Sequence, residues 1–292
     1  MRIPDSELLI NPDGSIYHLD LKPDELADTI ITVGDPARVK DVSKHFDSIQ
    51  YKGHHREFVT HTGLLNNKRL TVLSTGMGTD NIDIALNELD ALVNIDFENR
   101  TVKEALTSLN IIRLGTSGSV NEEIEVGSIL ISEAAIGMDN LMHFYPLENS
   151  IQETVYLEAF ASYINPYFGK IKPYFAGAGT KLLQRFEKYF PKGTTVTASG
   201  FYAPQGRRLR LEPEFADFVY TLNRFHHPHF RITNLEMETA GIYGLGKLLG
   251  HECLSVNAII ANRINQKFAH NHKKLINRMI EEALEIITTE IA

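Results

Sequence analysis

Short apolar runs alternate along the chain with longer segments of helical period, the pattern of βα units rather than of a β-sandwich. The runs predict strands at Ile30 to Val33, Leu70 to Ser74, Asn110 to Leu114, Ser128 to Ser132, Thr194 to Ala198 and Cys253 to Ile260. Two amphipathic segments stand out. Over Thr79 to Ile95, the residues Ile82, Ala85, Leu86, Leu89, Leu92 and Val93 share one face, and Lys273 to Ile291 predicts a C-terminal helix. Leu65-Asn66-Asn67-Lys68 reads as a hairpin turn. No repeat, low-complexity tract or Pro/Gly/Ser linker marks a boundary, so residues 1–292 are expected to form one α/β domain.

The segments that follow the strands carry more information. Val33 runs into Gly34-Asp35-Pro36, Ser74 into Thr75-Gly76-Met77-Gly78, Leu114 into Gly115-Thr116-Ser117-Gly118, and Ala198 into Ser199-Gly200-Phe201. Ligands of open α/β sheets sit outside the strands' carboxyl ends, so small and polar residues repeated there predict a lined pocket. Any one of them is equally an ordinary βα turn that needs glycine for its backbone.

Composition narrows the partners. The 292 residues are ample for a full core, and 37 acidic against 29 basic residues give a net charge of −8. That sign argues against a sequence-independent grip on nucleic acid or on an anionic membrane. One cysteine excludes an internal disulfide and fits a reducing compartment; its apolar run, Cys253-Leu254-Ser255-Val256, predicts an inert core thiol. The polar and acidic start of the chain lacks the apolar stretch of a secretory signal, and no run approaches a membrane span, so the cytoplasm is the expected location.

Three clusters carry candidate chemistry. Arg113 interrupts an otherwise buried strand, and an unpaired buried cation is very costly, so something anionic must meet it. A structural carboxylate would serve. So would a bound anion, for which Thr116 and the amides of Gly115 to Gly118 would add donors. Arg38 follows Gly34-Asp35-Pro36-Ala37 at a predicted helix N-terminus, also suited to an anion, and Arg56 in His54-His55-Arg56-Glu57-Phe58 is a third cation that reads alone as a surface residue. In the second cluster, Phe201 to Arg208, Gln205 and Arg207 offer the acceptor and donors to read a planar imide edge, beside an aromatic ring that could stack on it. The third, Asn234-Leu235-Glu236-Met237-Glu238, is an acidic entry to a helix over Thr239 to Leu249, where carboxylates could equally be caps.

Gly34-Asp35-Pro36-Ala37-Arg38-Val39, His55-Arg56-Glu57-Phe58, Arg113 to Gly118, Phe201 to Arg207 and Glu236-Met237-Glu238 occur in the order and spacing of the nucleoside phosphorylase-I family. The chain resembles that family over about residues 15 to 290, leaving residues 1–14 as an N-terminal extension, and within it is most similar to the uridine-acting members. The resemblance implies a central mixed, partly barrel-like sheet flanked by helices. It implies a pentosyltransferase that reversibly cleaves uridine, or deoxyuridine or thymidine, with inorganic phosphate as co-substrate and no cofactor. Some bacterial members place a monovalent cation at the dimer interface through a glutamate and a serine; Glu57 is present here, but the matching segment Gly76 to Asn81 differs, so no metal is expected. Gly34, Arg38, Arg113 and Thr116 match the phosphate site, which Arg56 of a neighbouring subunit would complete. His18 matches a histidine that reaches the neighbour's ribose, and Met237 and Glu238 match the ribose pair, with Thr116 close to them. Gln205 and Arg207 match the uracil-reading pair, with Phe201 and Gly118 lining the base pocket. Arg113, Glu238, Arg207 and Gln205 would carry catalysis, in a homodimer that could assemble further into a hexamer.

Purine-acting relatives carry an acidic proton donor at the end of a late strand. Here that stretch reads Ile259-Ile260-Ala261-Asn262-Arg263, without an acid, which favours a pyrimidine. A purine nucleoside phosphorylase, a hydrolytic nucleosidase and a non-catalytic nucleoside-binding protein remain as competing readings. His226, His227 and His229 crowd one loop without metal-ligand spacing, and Gly177-Ala178-Gly179-Thr180-Lys181 reads as a helix start rather than a phosphate loop.

Overall fold

In a computed structural model, residues 1–289 are described. In chain order the elements are β1 (Thr29–Val33), α1 (Pro36–Ser43), β2 (Ser48–His55), β3 (Phe58–Leu65), β4 (Lys68–Ser74), α2 (Thr79–Asn94), β5 (Ile95–Asp96) and β6 (Thr101–Val102). There follow β7 (Asn110–Ser119), β8 (Ile129–Gly137), α3 (Ile151–Phe168), β9 (Tyr174–Gly177), α4 (Thr180–Phe186), β10 (Lys192–Thr197), α5 (Phe218–Arg224), β11 (Ile232–Glu236), α6 (Thr239–Leu249), β12 (Glu252–Asn262), β13 (Lys267–Phe268) and α7 (His272–Thr288).

The main sheet is mixed and partly closed. β7 pairs with β12, β12 with β8, β8 with β10, β10 with β11, and β11 returns to β7, so five strands form a barrel. From β7 an open wing continues through β1, β4, β3 and β2. Helices cover the outside. α2 buries Ile82, Ala85, Leu86, Leu89 and Leu92, its periodic face, in the same cluster as Ile242 and Leu245 of α6. α7 buries Leu275, Met279, Ala283 and Ile286 in the cluster that holds Leu254 and Val256 of β12. The fold is the expected single α/β domain with a partly barrel-like mixed sheet.

The Asn66-Asn67 turn joins β3 to β4 with φ of 50° and 62°, the left-handed pair that a two-residue hairpin of this twist requires and that asparagine tolerates. Residues 1–14 lie against the body. Ile3 N donates to Arg100 O at 2.7 Å, and Leu8 is buried in the core beside Ile16 and Leu19. The predicted C-terminal helix ends at Thr288, and its expected last residue, Ile291, lies outside the described residues.

Two strands run well past their predicted ends. β7 continues to Ser119, because Gly115, Thr116, Ser117 and Gly118 are extended and laddered onto β12, Gly118 also onto β11, and β8 continues to Gly137, paired with β10 and β9. The expected turn of amide donors at Gly115 to Gly118 is therefore not formed. Small and polar residues continue the strand there because the interior of this barrel is itself polar.

Candidate active site

The carboxyl ends of β1, β4, β10 and β11, the second half of β7 and the end of β12 surround one cavity of about 770 Å³. Ten of the twelve candidate residues line it: Gly34, Arg38, Arg113, Thr116, Gly118, Phe201, Gln205, Arg207, Met237 and Glu238. Each arrives from a different local cause. Gly34 ends β1 beneath Asp35, whose carboxylate accepts from Ala37 N at 2.9 Å and so caps α1 itself. The helix N-terminus expected to receive an anion is thus already served by Asp35. Arg38, in the first turn of α1, reaches across to donate to Leu114 O at 3.2 Å.

Arg113 is buried, as the strand pattern required, and both open readings of its partner bear on the same spot. Its Nη2 lies 2.5 Å from Glu238 Oε2 and 3.1 Å from Glu236 Oε2, and its Nη1 faces Asn257 Oδ1 at 3.3 Å and Ser255 Oγ at 3.4 Å. Structural carboxylates therefore meet the cation, and both carboxylates stand on the cavity wall. Burial opposes the Arg113 charge, but Glu236 and Glu238 more than offset it, and its pKa is raised. Arg38, by contrast, is lowered by burial and then by the neighbouring Arg113.

The two acids at the mouth of α6 divide the work that sequence left undecided. Glu236 is the cap: its carboxylate accepts from the amides of Glu238 and Thr239 and from Thr197 Oγ1. Burial pushes its carboxyl upward, Arg113 pulls against that, and Glu238 adds to the upward shift. The Glu238 side chain makes no cap. It accepts from Gly78 N at 2.8 Å with one oxygen and from Arg113 with the other, and so hangs between the turn after β4 and the arginine.

At the far end, Arg207 donates to Gln205 Oε1 at 2.5 Å and to Phe201 O at 2.8 Å. Its guanidinium lies 3.8 Å from the centre of the Phe201 ring, so the arginine covers one face of the expected stacking aromatic. Burial, then the nearby Arg263, bring the Arg207 pKa down to about 10, which leaves it a cation at neutral pH.

His18 and Arg56 do not line the cavity of their own chain. They lie together at the surface, Arg56 next in the chain to Glu57, which does line the cavity. His18 Nδ1 is 2.6 Å from Glu88 Oε1, its carbonyl meets His55 Nδ1 at 3.0 Å, and Arg56 lies over the ring of the adjacent Tyr17, 5.7 Å from its centre. Arg56 has a φ of 55°, a left-handed conformation at the tip between β2 and β3.

Sequence reasoning passed over several wall residues. Glu57, Ser117, Arg263 and Phe268 all face the cavity, and Arg263 donates to Gln205 O at 3.1 Å. Gly115, expected in a turn, lies within β7, and a Cβ there would overlap the Arg113 guanidinium, which runs forward along its own strand. Among the described residues no cluster of three or more His, Cys, Asp or Glu could hold a metal ion, and no helix is long and apolar enough to cross a membrane. Cys253 is buried, and burial raises its pKa, as an inert core thiol requires.

Known proteins resemble the chain over nearly its whole length. A uridine phosphorylase of Thermococcus kodakarensis is 29% identical over 275 residues, 94% of this chain and 87% of that protein. A DeoD-type purine nucleoside phosphorylase of Clostridium novyi is 26% identical, over 92% of this chain and 98% of that protein. Among solved structures, a Trypanosoma brucei nucleoside phosphorylase described as showing uridine phosphorylase activity superposes with a TM-score of 0.84 at 32% identity, over 95% of this chain and 99% of that one. The sequence model of the phosphorylase superfamily matches residues 28–292, and the chain belongs to that family.

Proposed function

We propose that the protein catalyses the reversible phosphorolysis of uridine, giving uracil and ribose 1-phosphate. The observation that carries this reading is the cavity's two-ended chemistry. Arg38, Arg113 and Glu238 stand together at one end and the Gln205–Arg207 pair, with Arg263, at the other, and Met237 lines the same cavity.

The reaction breaks the N-glycosidic bond as phosphate forms a bond to the anomeric carbon from the opposite face, and the bonding pair leaves with the base. Negative charge then grows on the uracil oxygens. Arg207 and the free amide hydrogens of Gln205 are donors suited to that charge, and no general acid is needed to protonate the base. The end of β12, Ile260-Ala261-Asn262-Arg263, presents a cation and no carboxylate to this half of the cavity, which supports a pyrimidine over a purine. Glu238 would accept from ribose hydroxyls and stabilise the cationic sugar, and Arg38, Arg113 and Thr116 would hold phosphate in line.

Local charge supports a contribution from a second subunit. The phosphate end of the wall carries Arg38 and Arg113 against Asp35, Glu57, Glu236 and Glu238, so a phosphate dianion there calls for a further cation. Arg56 is exposed and placed to serve a neighbour, and His18 stands beside it, its ring oriented by Glu88. The active unit on this reading is a homodimer, with phosphate as co-substrate and no further cofactor.

The test is uridine turnover with and without phosphate, followed by chromatography, with inosine as the comparison. The reading requires uracil and ribose 1-phosphate from uridine, in phosphate only. Cleavage continuing in phosphate-free buffer would make the protein a hydrolase, and faster turnover of inosine would make it a purine enzyme. Nucleoside binding without any product would leave only a binding protein.

A further inference from the structure

Small closed sheets are ordinarily filled by aliphatic side chains, yet this barrel holds a continuous polar chain that touches all five of its strands. Arg113 of β7 faces Asn257 Oδ1 of β12 at 3.3 Å. Asn257 Nδ2 donates to Ser132 Oγ of β8 at 2.9 Å, and the Ser132 and Thr195 hydroxyls, the latter on β10, are 2.6 Å apart. Thr195 Oγ1 donates to Asn234 Oδ1 of β11 at 3.0 Å, and Asn234 Nδ2 donates to Ser117 Oγ, back on β7, at 2.8 Å. Every member is buried, and Asn257, Ser132 and Thr195 have no exposed surface at all.

Chemistry fixes the direction of each link. An arginine only donates, so the Asn257 amide must turn its oxygen to the guanidinium and its NH2 to Ser132. Ser132, having accepted, gives its own proton to Thr195, which passes its proton to Asn234. The reverse orientation of Asn257 would set N–H against N–H beside a cation. Arg113 is thereby held at Nη1 by a neutral acceptor whose own orientation is locked from behind, while Nη2 is held by Glu236 and Glu238.

Neutrality is the informative property. Two carboxylates already face this one cation, and a third anion at position 257 would cancel attraction that an incoming phosphate needs. We propose that Asn257 is a positioning residue of the phosphate subsite, fixing the Arg113 guanidinium without adding charge to it. The assignment rests on the phosphate-dependent reading of the cavity.

The test uses the full chain and three variants, Asn257→Asp, Asn257→Leu and Ser132→Ala, with phosphate and uridine varied in turn and the melting temperature measured for each. Asn257→Asp keeps the shape and adds a charge. It should raise KM for phosphate about tenfold or more while KM for uridine stays within about twofold, and the penalty should shrink at lower pH as the added carboxyl takes a proton. Ser132→Ala frees the Asn257 amide to rotate, and should raise KM for phosphate about threefold, in the same selective way. Asn257→Leu removes the acceptor without adding a charge, so it should raise KM for phosphate at least as much as Ser132→Ala and without the pH dependence of the aspartate variant.

Unchanged KM for phosphate in active Asn257→Asp and Ser132→Ala proteins would overturn the proposal. So would a loss shared equally by both substrates and tracking the melting temperature, since that is the signature of a structural role. If the wild-type chain fails to cleave uridine in phosphate, the functional reading falls first. Calorimetric titration of inorganic phosphate into the wild-type and Asn257→Asp proteins then still decides whether position 257 governs anion binding.

Discussion

Arg113 shows how one buried cation orders its surroundings. Its guanidinium runs forward over Gly115, two positions along the same strand, so that a methyl group at 115 and the arginine would compete for one volume. Gly115→Ala should therefore displace the guanidinium while leaving the strand ladder intact. The expected loss is about 2 to 4 kcal/mol of transition-state stabilisation, the magnitude of removing one preorganised charged donor, seen as a fall in kcat/KM for phosphate and accompanied by a lower melting temperature, because the displaced cation is buried against Glu236 and Glu238. At the other end of the cavity, Arg207→Ala removes the donor that bonds Gln205 and stacks on Phe201, and should cost uridine turnover a similar roughly 2 to 4 kcal/mol. An unchanged rate would remove Arg207 from the base-reading role. Arg113 was visible in the sequence because a charge in an apolar strand has few explanations. Its anchors were harder to see. Ser255 and Asn257 alternate with Leu254, Val256 and Ala258, a period of two that marks one face of a strand as polar, but without knowledge of the barrel that face had no interior to point into.

At the level of elements, the same physics explains which boundaries the sequence disclosed. Strands packed on both faces by aliphatic residues, such as β1, ended where their apolar runs ended, and the periodic face of α2 is the face that packs. β7 runs past its apolar half because β12 pairs with it along its whole length and β11 joins it at Gly118 and Ser119, so glycine, serine and threonine stay extended where an open edge would have let them turn, whereas β8 continues through the buried Ala134, Ala135 and Ile136 between β10 and β9. The open wing of the sheet is tied down differently. His61 of β3 meets Ser43 Oγ of α1 at 2.7 Å, and its pKa is lowered, first by burial and then by the charge of Lys52. An imidazole depressed in the folded state binds its proton more readily when unfolded. Its contribution is present above the unfolded value of about 6.5 and is lost as pH falls below it. The melting temperature should thus drop between about pH 7.5 and about pH 5.5 by more in the wild-type protein than in His61→Gln. Parallel curves for the two would show that the docking of α1 on β3 does not titrate.

For the whole molecule, the question raised by His18 and Arg56 is which cavity they serve. Both matched site motifs in the sequence, yet neither lines the cavity of its own chain, whereas the other ten matched residues converge on it. A linear sequence records which residues are present and at what spacing, but carries no mark of the subunit across which they act. Reading them as donors to a neighbour makes the active unit a two-fold pair in which each site takes Arg113 from one chain and Arg56 from the other. That arrangement predicts complementation. Arg56→Ala and Arg113→Ala homodimers should each be nearly inactive. A mixed dimer of the two places both lesions in one site and leaves the other site with a complete set. Random association of equal amounts makes about half the dimers mixed, each with one intact site, so co-expression should recover about a quarter of wild-type turnover. If Arg56 acts within its own chain, or takes no part in the reaction, mixing cannot reunite it with an intact Arg113, and the combined activity will simply be the mean of the two mutants.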